Sequence, residues 1–300
     1  MKLTLGPLMF HWPAEQWQQF YADIADNAPV DRVVIGELVC SKRLPFYEAL
    51  IPEMIERLQA AGKEVVLASL ALPTLVRERK ILAGLGEVGL PVEVNDLTML
   101  THLSEGQPFT LGPLVNTYNR GTLEWLIARG ATSVCLPPEL PLSSVTVLAE
   151  TAAAWGIDCE IWGYGRLPLA MSGRCYHARL ARRSKDGCLF VCEEDPDGLS
   201  VDTLDGKKFM AVNGVQTLSD SWANLVGDVA ALKAAGVTAL RLSPHTGDMS
   251  KVAQIFRDAA DGTLLPDQAI SELQQANPER RFSNGFLFGE VGADWSHSSA

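Results

Sequence analysis

Residues 232–245 read LKAAGVTALRLSPH, and this stretch decides the fold. A helical pattern runs to Ala235, Gly236 stops it, and an apolar strand follows over residues 239–244. The same alternation extends back to the start of the chain. Strand-like runs fall at 3–8, 32–37, 64–69, 92–96, 109–114, 133–137 and 159–164. Several are almost continuously apolar, as strands buried on both faces are. Helical patterns lie between them at 14–26, 45–61, 74–84, 122–129, 143–155 and 222–235, and a last one at 249–260 follows the final strand.

Strand and helix alternating roughly eight times predicts an α/β chain with right-handed crossovers and a parallel sheet. A TIM-barrel-like (β/α)8 fold accommodates eight such units; an open doubly wound sheet is the other solution. One interval breaks the rhythm. Residues 165–218 separate the seventh and eighth strands, and long connections in compact domains usually carry function. Their second half, LSVDTLDGKKFMAVNG, alternates and turns at Asp205-Gly206, which predicts a β-hairpin. The expected organisation is one barrel domain over 1–265, including the cysteine-bearing insertion 165–218. A tail over 266–300 is expected to pack partly on the barrel and to fray at its Ser-His-Ser-Ser-Ala end.

With 25 basic and 36 acidic residues the chain carries a formal charge of −11, which gives it no global attraction for nucleic acid or anionic lipid. A basic cluster of Arg174, Arg179, Arg182, Arg183 and Lys185 is the local exception. The opening MKLTLGPLMFHWPAEQW is broken by Pro7, His11 and Pro13 and reads as a first strand rather than a signal peptide. No apolar run is long enough for a transmembrane segment. A cytoplasmic location is expected, and in a reducing compartment six cysteines point away from disulfides.

Three of those cysteines, Cys175, Cys188 and Cys192, are spaced C-x12-C-x3-C within the long insertion. Cys40 lies just past the second strand. Both places fall at the C-terminal ends of barrel strands, where chemistry gathers in this fold, so the four thiols are expected on one face. Four thiolates can hold a [4Fe–4S] cluster or zinc. The dispersed spacing suits a cubane better than a zinc knuckle, and unrelated cysteines are the third reading. Cys135 and Cys159 sit inside strand-like runs and read as core.

Other candidates ring the expected mouth of the barrel: His11, Glu37, Asn95, Asp96, Asn116, Tyr118, Tyr164 and Arg241. Each could serve as acid, base or binding group, and each is more readily explained by capping and loop hydrogen bonds. His177 could support a metal through its proximity to Cys175, though a surface position is the simpler expectation. Gly84, Gly86 and Gly89 match G-x-G-x-x-G, but the motif follows a helix and precedes a strand, the reverse of a dinucleotide loop. The seven tryptophans are scattered and form no stacking platform for nucleic acid.

At residues 162–175, WGYGRLPLAMSGRC, the chain resembles the collagenase-like peptidase family (family U-thirty-two), whose signature leads into a Ser-Gly-Arg-Cys turn, here Ser172 to Cys175. LPPEL at 136–140 and the opening stretch at 232–245 extend the likeness over nearly the whole chain. The resemblance is strongest to short members with an early cysteine, here in GELVCSKR. It implies a [4Fe–4S] cluster on Cys40, Cys175, Cys188 and Cys192. It also implies a heterodimer with a UbiU-like paralogue, and a UbiT-like lipid carrier and quinone precursor as further partners. The implied role is as a subunit of an oxygen-independent hydroxylase complex in ubiquinone biosynthesis. The alternatives are a peptidase-like protein with structural zinc and an RNA-modification factor. Peptidase-type relatives carry R-I-E-G-R where this chain has RLSPH at 241–245, which counts against proteolysis.

Overall fold

The computed structural model describes residues 1–296. The chain runs β1 (Lys2–Leu5), α1 (Ala14–Asn27), β2 (Arg32–Ile35), α2 (Ile51–Ala60), β3 (Glu64–Ala68), α3 (Val76–Glu87), β4 (Val92–Val94), β5 (Phe109–Leu111), α4 (Arg120–Ile127), β6 (Ala131–Cys135), α5 (Leu142–Ala154) and β7 (Asp158–Met171). After α6 (Tyr176–Leu180) come β8 (Leu199–Asp202), β9 (Lys208–Asn213) and β10 (Gln216–Asn224). The series ends with α7 (Val229–Ala234), β11 (Ala239–Leu242), α8 (Met249–Asp261), α9 (Pro266–Ala276) and β12 (Phe282–Ser283).

Strands β1 to β7 pair in parallel, each with the next. β11 then pairs with both β1 and β7 and closes the ring, Lys2 beside Ala239 and Ala239 beside Glu160. The result is a (β/α)8-like barrel with extra strands appended after the seventh. Gly236 takes φ +89°, which releases the chain from α7 into β11 within a few residues. β10 turns back antiparallel along β7 and carries β9 and β8 outward as a further sheet. Residues 203–207 close the expected hairpin between β8 and β9.

Alternation divides the barrel side chains into two sets. Leu3, Leu5, Val33, Ile35, Val65, Leu67, Val92 and Val94 belong to the large apolar core that includes the helices' buried faces. The opposite set faces the barrel axis. Val34, Val66 and Ala68 form a small separate apolar cluster there, and Thr4, Arg32, Glu93, Thr110, Ser133, Glu160 and Arg241 are buried polar residues at the intervening positions. Arg241 donates to Glu160 on the adjacent β7 (2.6 Å) and to both oxygens of Glu93 on β4, across the barrel. Barrel interiors are usually filled by branched apolar residues. This one is cross-linked by ion pairs instead.

The sequence reading differs from the structure in three places. Residues 222–224 do not open a helix but finish β10, with Trp222 paired to Arg166 of β7 and Phe282 of β12. β7 continues seven residues beyond its expected end at 164, because β10 supplies hydrogen bonds to its far half. Residues 45–50 form two tight 3-10 turns rather than a first helical turn, since Pro45 and Pro52 offer no N–H. Among the described residues no helix is long and apolar enough to cross a membrane. In the tail, Leu273, Phe282 and Leu287 join the main core. The expected fraying concerns residues 296–300; Ser296 is held by its N–H to Asn284 Oδ1 (2.7 Å), and 297–300 lie outside the described residues.

Candidate functional site

The segments after β2 and β7 meet at one end of the barrel, and their meeting point is Arg43. A tight turn returns the Arg43 N–H to the carbonyl of Cys40 (2.9 Å) and sends the side chain inward, where it is 1% exposed. Its guanidinium donates to the Met9 carbonyl (3.0 Å) and to Asn213 Oδ1 (2.6 Å), while Nε has no hydrogen-bond partner. Asn213 in turn donates to the carbonyls of Cys192 (3.0 Å) and Asp195 (2.8 Å), which fastens the cysteine loop to β9. Gly214 follows with φ +67°, and a Cβ there would lie 2.5 Å from the guanidinium, so only glycine lets the chain pass.

All four expected cysteines lie in this neighbourhood. Arg43 is in electrostatic contact with Cys192 and Cys40, and Cys175 with Cys192, Arg43 and Cys188. Lys42 Nζ lies 3.5 Å from Cys188 Sγ and donates to the carbonyls of Lys185 (2.8 Å) and Asp186 (3.0 Å), holding the loop closed. Cys175 caps α6, its Sγ accepting from the Ala178 N–H at 3.4 Å. Leu189 (φ +49°) and Phe190 (φ +53°) stand consecutively in the left-handed region between Cys188 and Cys192. Such strain costs free energy and persists only where surrounding contacts enforce it. A recess of about 320 Å³, lined by Gly173, Arg174, Cys175, Arg179, Ser184 and Lys185, leads to Cys175 from the basic cluster.

The [4Fe–4S] expectation requires correction. Among the described residues no group of three or more His, Cys, Asp or Glu side chains is placed to hold a metal ion. The thiols share a region without addressing a common point: Cys175 serves an amide, Cys188 faces an ammonium, and Cys40 and Cys192 face a guanidinium. The zinc alternative falls on the same finding. The iron–sulfur role in oxygen-independent ubiquinone biosynthesis and ring hydroxylation rested on that cluster and is corrected with it.

Burial pushes the thiols of Cys40 and Cys175 upward, and the Arg43 charge opposes the rise at both. Glu37 accepts from the N–H groups of Val39 (2.7 Å) and Cys40 (2.8 Å) and from the Tyr47 hydroxyl, so it shapes the turn that presents Cys40. His11 is buried against the rings of Phe46 and Phe190, 3.3 Å from Glu193, and burial followed by the Arg43 charge lowers its pKa to about 4. His177 is buried, not on the surface as expected. Its Nε2 lies 3.0 Å from Asp195 and its Nδ1 has no hydrogen-bond partner.

The remaining strand-end residues are accounted for locally. Asp96 caps a 3-10 turn through the Thr98 N–H (2.8 Å), and Asn116 takes the left-handed conformation that ends another. Asn95 donates to Glu93 (3.1 Å), Tyr164 to Asn277 (3.2 Å), and exposed Tyr118 to Glu139. Cys135 and Cys159 are core residues, as expected. Gly86 lies inside α3 and Gly89 in the turn after it, so the glycine motif ends a helix. Sequence reasoning missed Arg43, Tyr47 and Asn213. The only hint was an arginine three residues after Cys40, and nothing local marks it as buried.

The chain matches Peptidase family U32 over residues 15–297. Among solved structures, an L-Ala-D/L-Glu epimerase is similar over 73% of this chain, at 16% identity and a TM-score of 0.33; the match spans 63% of the epimerase's length. A tryptophan synthase complex from Pyrococcus furiosus is similar over 90% of this chain and 97% of that one, at 12% identity and a TM-score of 0.21. Likenesses this distant carry no functional argument. The family match, by contrast, spans most of the barrel and the whole cysteine-bearing insertion, and by it the chain belongs to peptidase family U32.

Proposed function

We propose that the working part of this chain is the thiol pocket of Cys40, Cys175, Cys188 and Cys192 around Arg43. On this reading the chain is a UbiV-like family member, acting in the cytoplasm as a non-proteolytic subunit beside a UbiU-like paralogue. The observation that carries the reading is the gathering of Cys40, Cys175 and Cys192, from segments more than 130 residues apart, around one buried arginine, with Cys188 joined through Cys175 and Lys42 (Cys40 to Cys175 is 135 positions). The early cysteine, the C-x12-C-x3-C spacing and the NGF-containing tail support the UbiV-like assignment.

A cysteine peptidase needs a thiol hydrogen-bonded to a base. Among the described residues no histidine is hydrogen-bonded to a pocket thiol: Cys188 Sγ lies against Lys42 and Cys175 Sγ accepts from the Ala178 N–H, while His245 Nδ1 is bonded to the Ser243 carbonyl and His11 packs between two phenylalanines. The pocket instead holds its thiols beside fixed positive charge, the environment in which sulfur becomes reactive once it is uncovered. Its role is thiol-based, and the partner's docking regulates access to it. Co-expression with a UbiU-like paralogue followed by light-scattering chromatography and differential alkylation tests this. A one-to-one complex in which the four pocket cysteines change in labelling, while Cys135 and Cys159 do not, is the expected result. A chain that stays monomeric, with pocket labelling indifferent to the paralogue, would sink the proposal.

A further inference from the structure

A second cavity, on the outside of the barrel, lies between α2 and α3. α2 packs against α1, β2 and β3, whereas α3 packs against the 3-10 turn at Leu97–His102. Their facing sides stay apart and enclose about 410 Å³. Ile51 and Ile55 of α2, Ile81 and Leu85 of α3, Val88 just past it, and Leu67 of β3 line it. The volume lies in the range of small-molecule sites, roughly 300–1,000 Å³. Water inside would find few hydrogen-bond partners, since the deepest polar group, Glu37, already accepts from three donors.

The charges of the lining select among apolar ligands. Three glutamates, Glu37, Glu48 and Glu56, border the cavity, Glu48 and Glu56 at its exposed rim, and among the described residues no lysine, arginine or histidine does. A fatty carboxylate would enter against this field with nothing to pair with. We infer that the α2–α3 cavity binds an uncharged apolar molecule, a hydrocarbon chain or ring bearing at most a hydroxyl, and discriminates against carboxylates of the same length. The cavity adjoins the thiol pocket through Glu37 and Ser41, on either side of Cys40, but its lining includes none of the four cysteines and its occupancy does not depend on the thiols' role.

Nile red fluorescence on the full chain, displaced by 1-decanol or by decanoate, tests the inference. Saturable dye binding is expected, with decanol displacing at least tenfold more strongly than decanoate. Leu85→Trp fills the cavity and should weaken dye binding tenfold or more. Glu48→Lys with Glu56→Lys, both at exposed positions that leave the fold intact, should bring decanoate level with decanol. Equal displacement by the two ligands in the unaltered chain overturns the inference, as does dye binding indifferent to Leu85→Trp or decanoate binding indifferent to the double lysine variant. Loss of the dye site on self-association would assign the face to a second copy and overturn it too.

Discussion

Two of the buried arginines, Arg241 and Arg43, are treated in opposite ways. Arg241 sits at the barrel axis between Glu93 and Glu160, and every element of its charge is met by a carboxylate. Arg43 sits at the strand-end face, bonded to a carbonyl and an amide oxygen, with one nitrogen unpartnered. Its nearby carboxylate, Glu37, acts on it through space while being hydrogen-bonded elsewhere. A compensated buried charge fixes architecture; an under-compensated one leaves a local field for other groups to use. The thiols lie in the field of the second arginine.

The largest effect is expected at Arg241. Arg241→Met removes the cation that Glu93 and Glu160 are bonded to and should destabilise the fold by about 3–5 kcal/mol in denaturant unfolding. A loss under about 1 kcal/mol would show that the ion-paired layer is dispensable. Arg43→Met removes two hydrogen bonds and should cost less, about 2 kcal/mol. Its distinctive effect is chemical: without the guanidinium the Cys40 and Cys175 thiols rise further, so their alkylation at pH 8 should slow several-fold while Cys159 is unaffected. Unchanged thiol reactivity would make Arg43 merely another structural arginine.

Acid sensitivity sharpens the same contrast. His11 and His245 are held neutral, mainly by burial, with pKa values lowered from 6.5 to about 4 and about 3. The unfolded chain takes up protons at these residues near pH 6.5 and the folded chain does not. Stability is therefore full above pH 6.5 and declines as the pH falls toward 4, measurable as a falling Tm. Arg43 contributes, after burial, to the lowering at His11, so Arg43→Met should make this acid decline shallower. The smallest effect is expected at Lys42. Lys42→Ala frees the carbonyls of Lys185 and Asp186 and should cost under about 1 kcal/mol. Hydrogen exchange would register it as faster opening of residues 183–190, with the barrel strands unchanged.

Much of the barrel was legible because its signals are local. A β-branched run such as EVVLAS at 64–69 can be satisfied only by a buried strand, and Gly236 between helix and strand needs no distant partner to be read. Where tertiary pairing decides, reading failed: Trp222 looks like the start of a helix until β7 and β12 claim its backbone. The candidate site divides in the same way. Cys40, Cys175, Cys188 and Cys192 could be assigned to one face from strand order alone. What the thiols face there could not.

The sequence by itself determined the order of eight strands, the long insertion and the face on which four cysteines gather. These follow from periodicity and turn chemistry within windows of a dozen residues. Only the tertiary structure decided that Arg43 is buried among those thiols, that His177 is buried against Asp195, and that α2 and α3 leave a cavity between them. The reason is common to all three. Burial, charge compensation and the gap between two helices are properties of segments far apart in the chain, and no short window of sequence contains both sides of the contact.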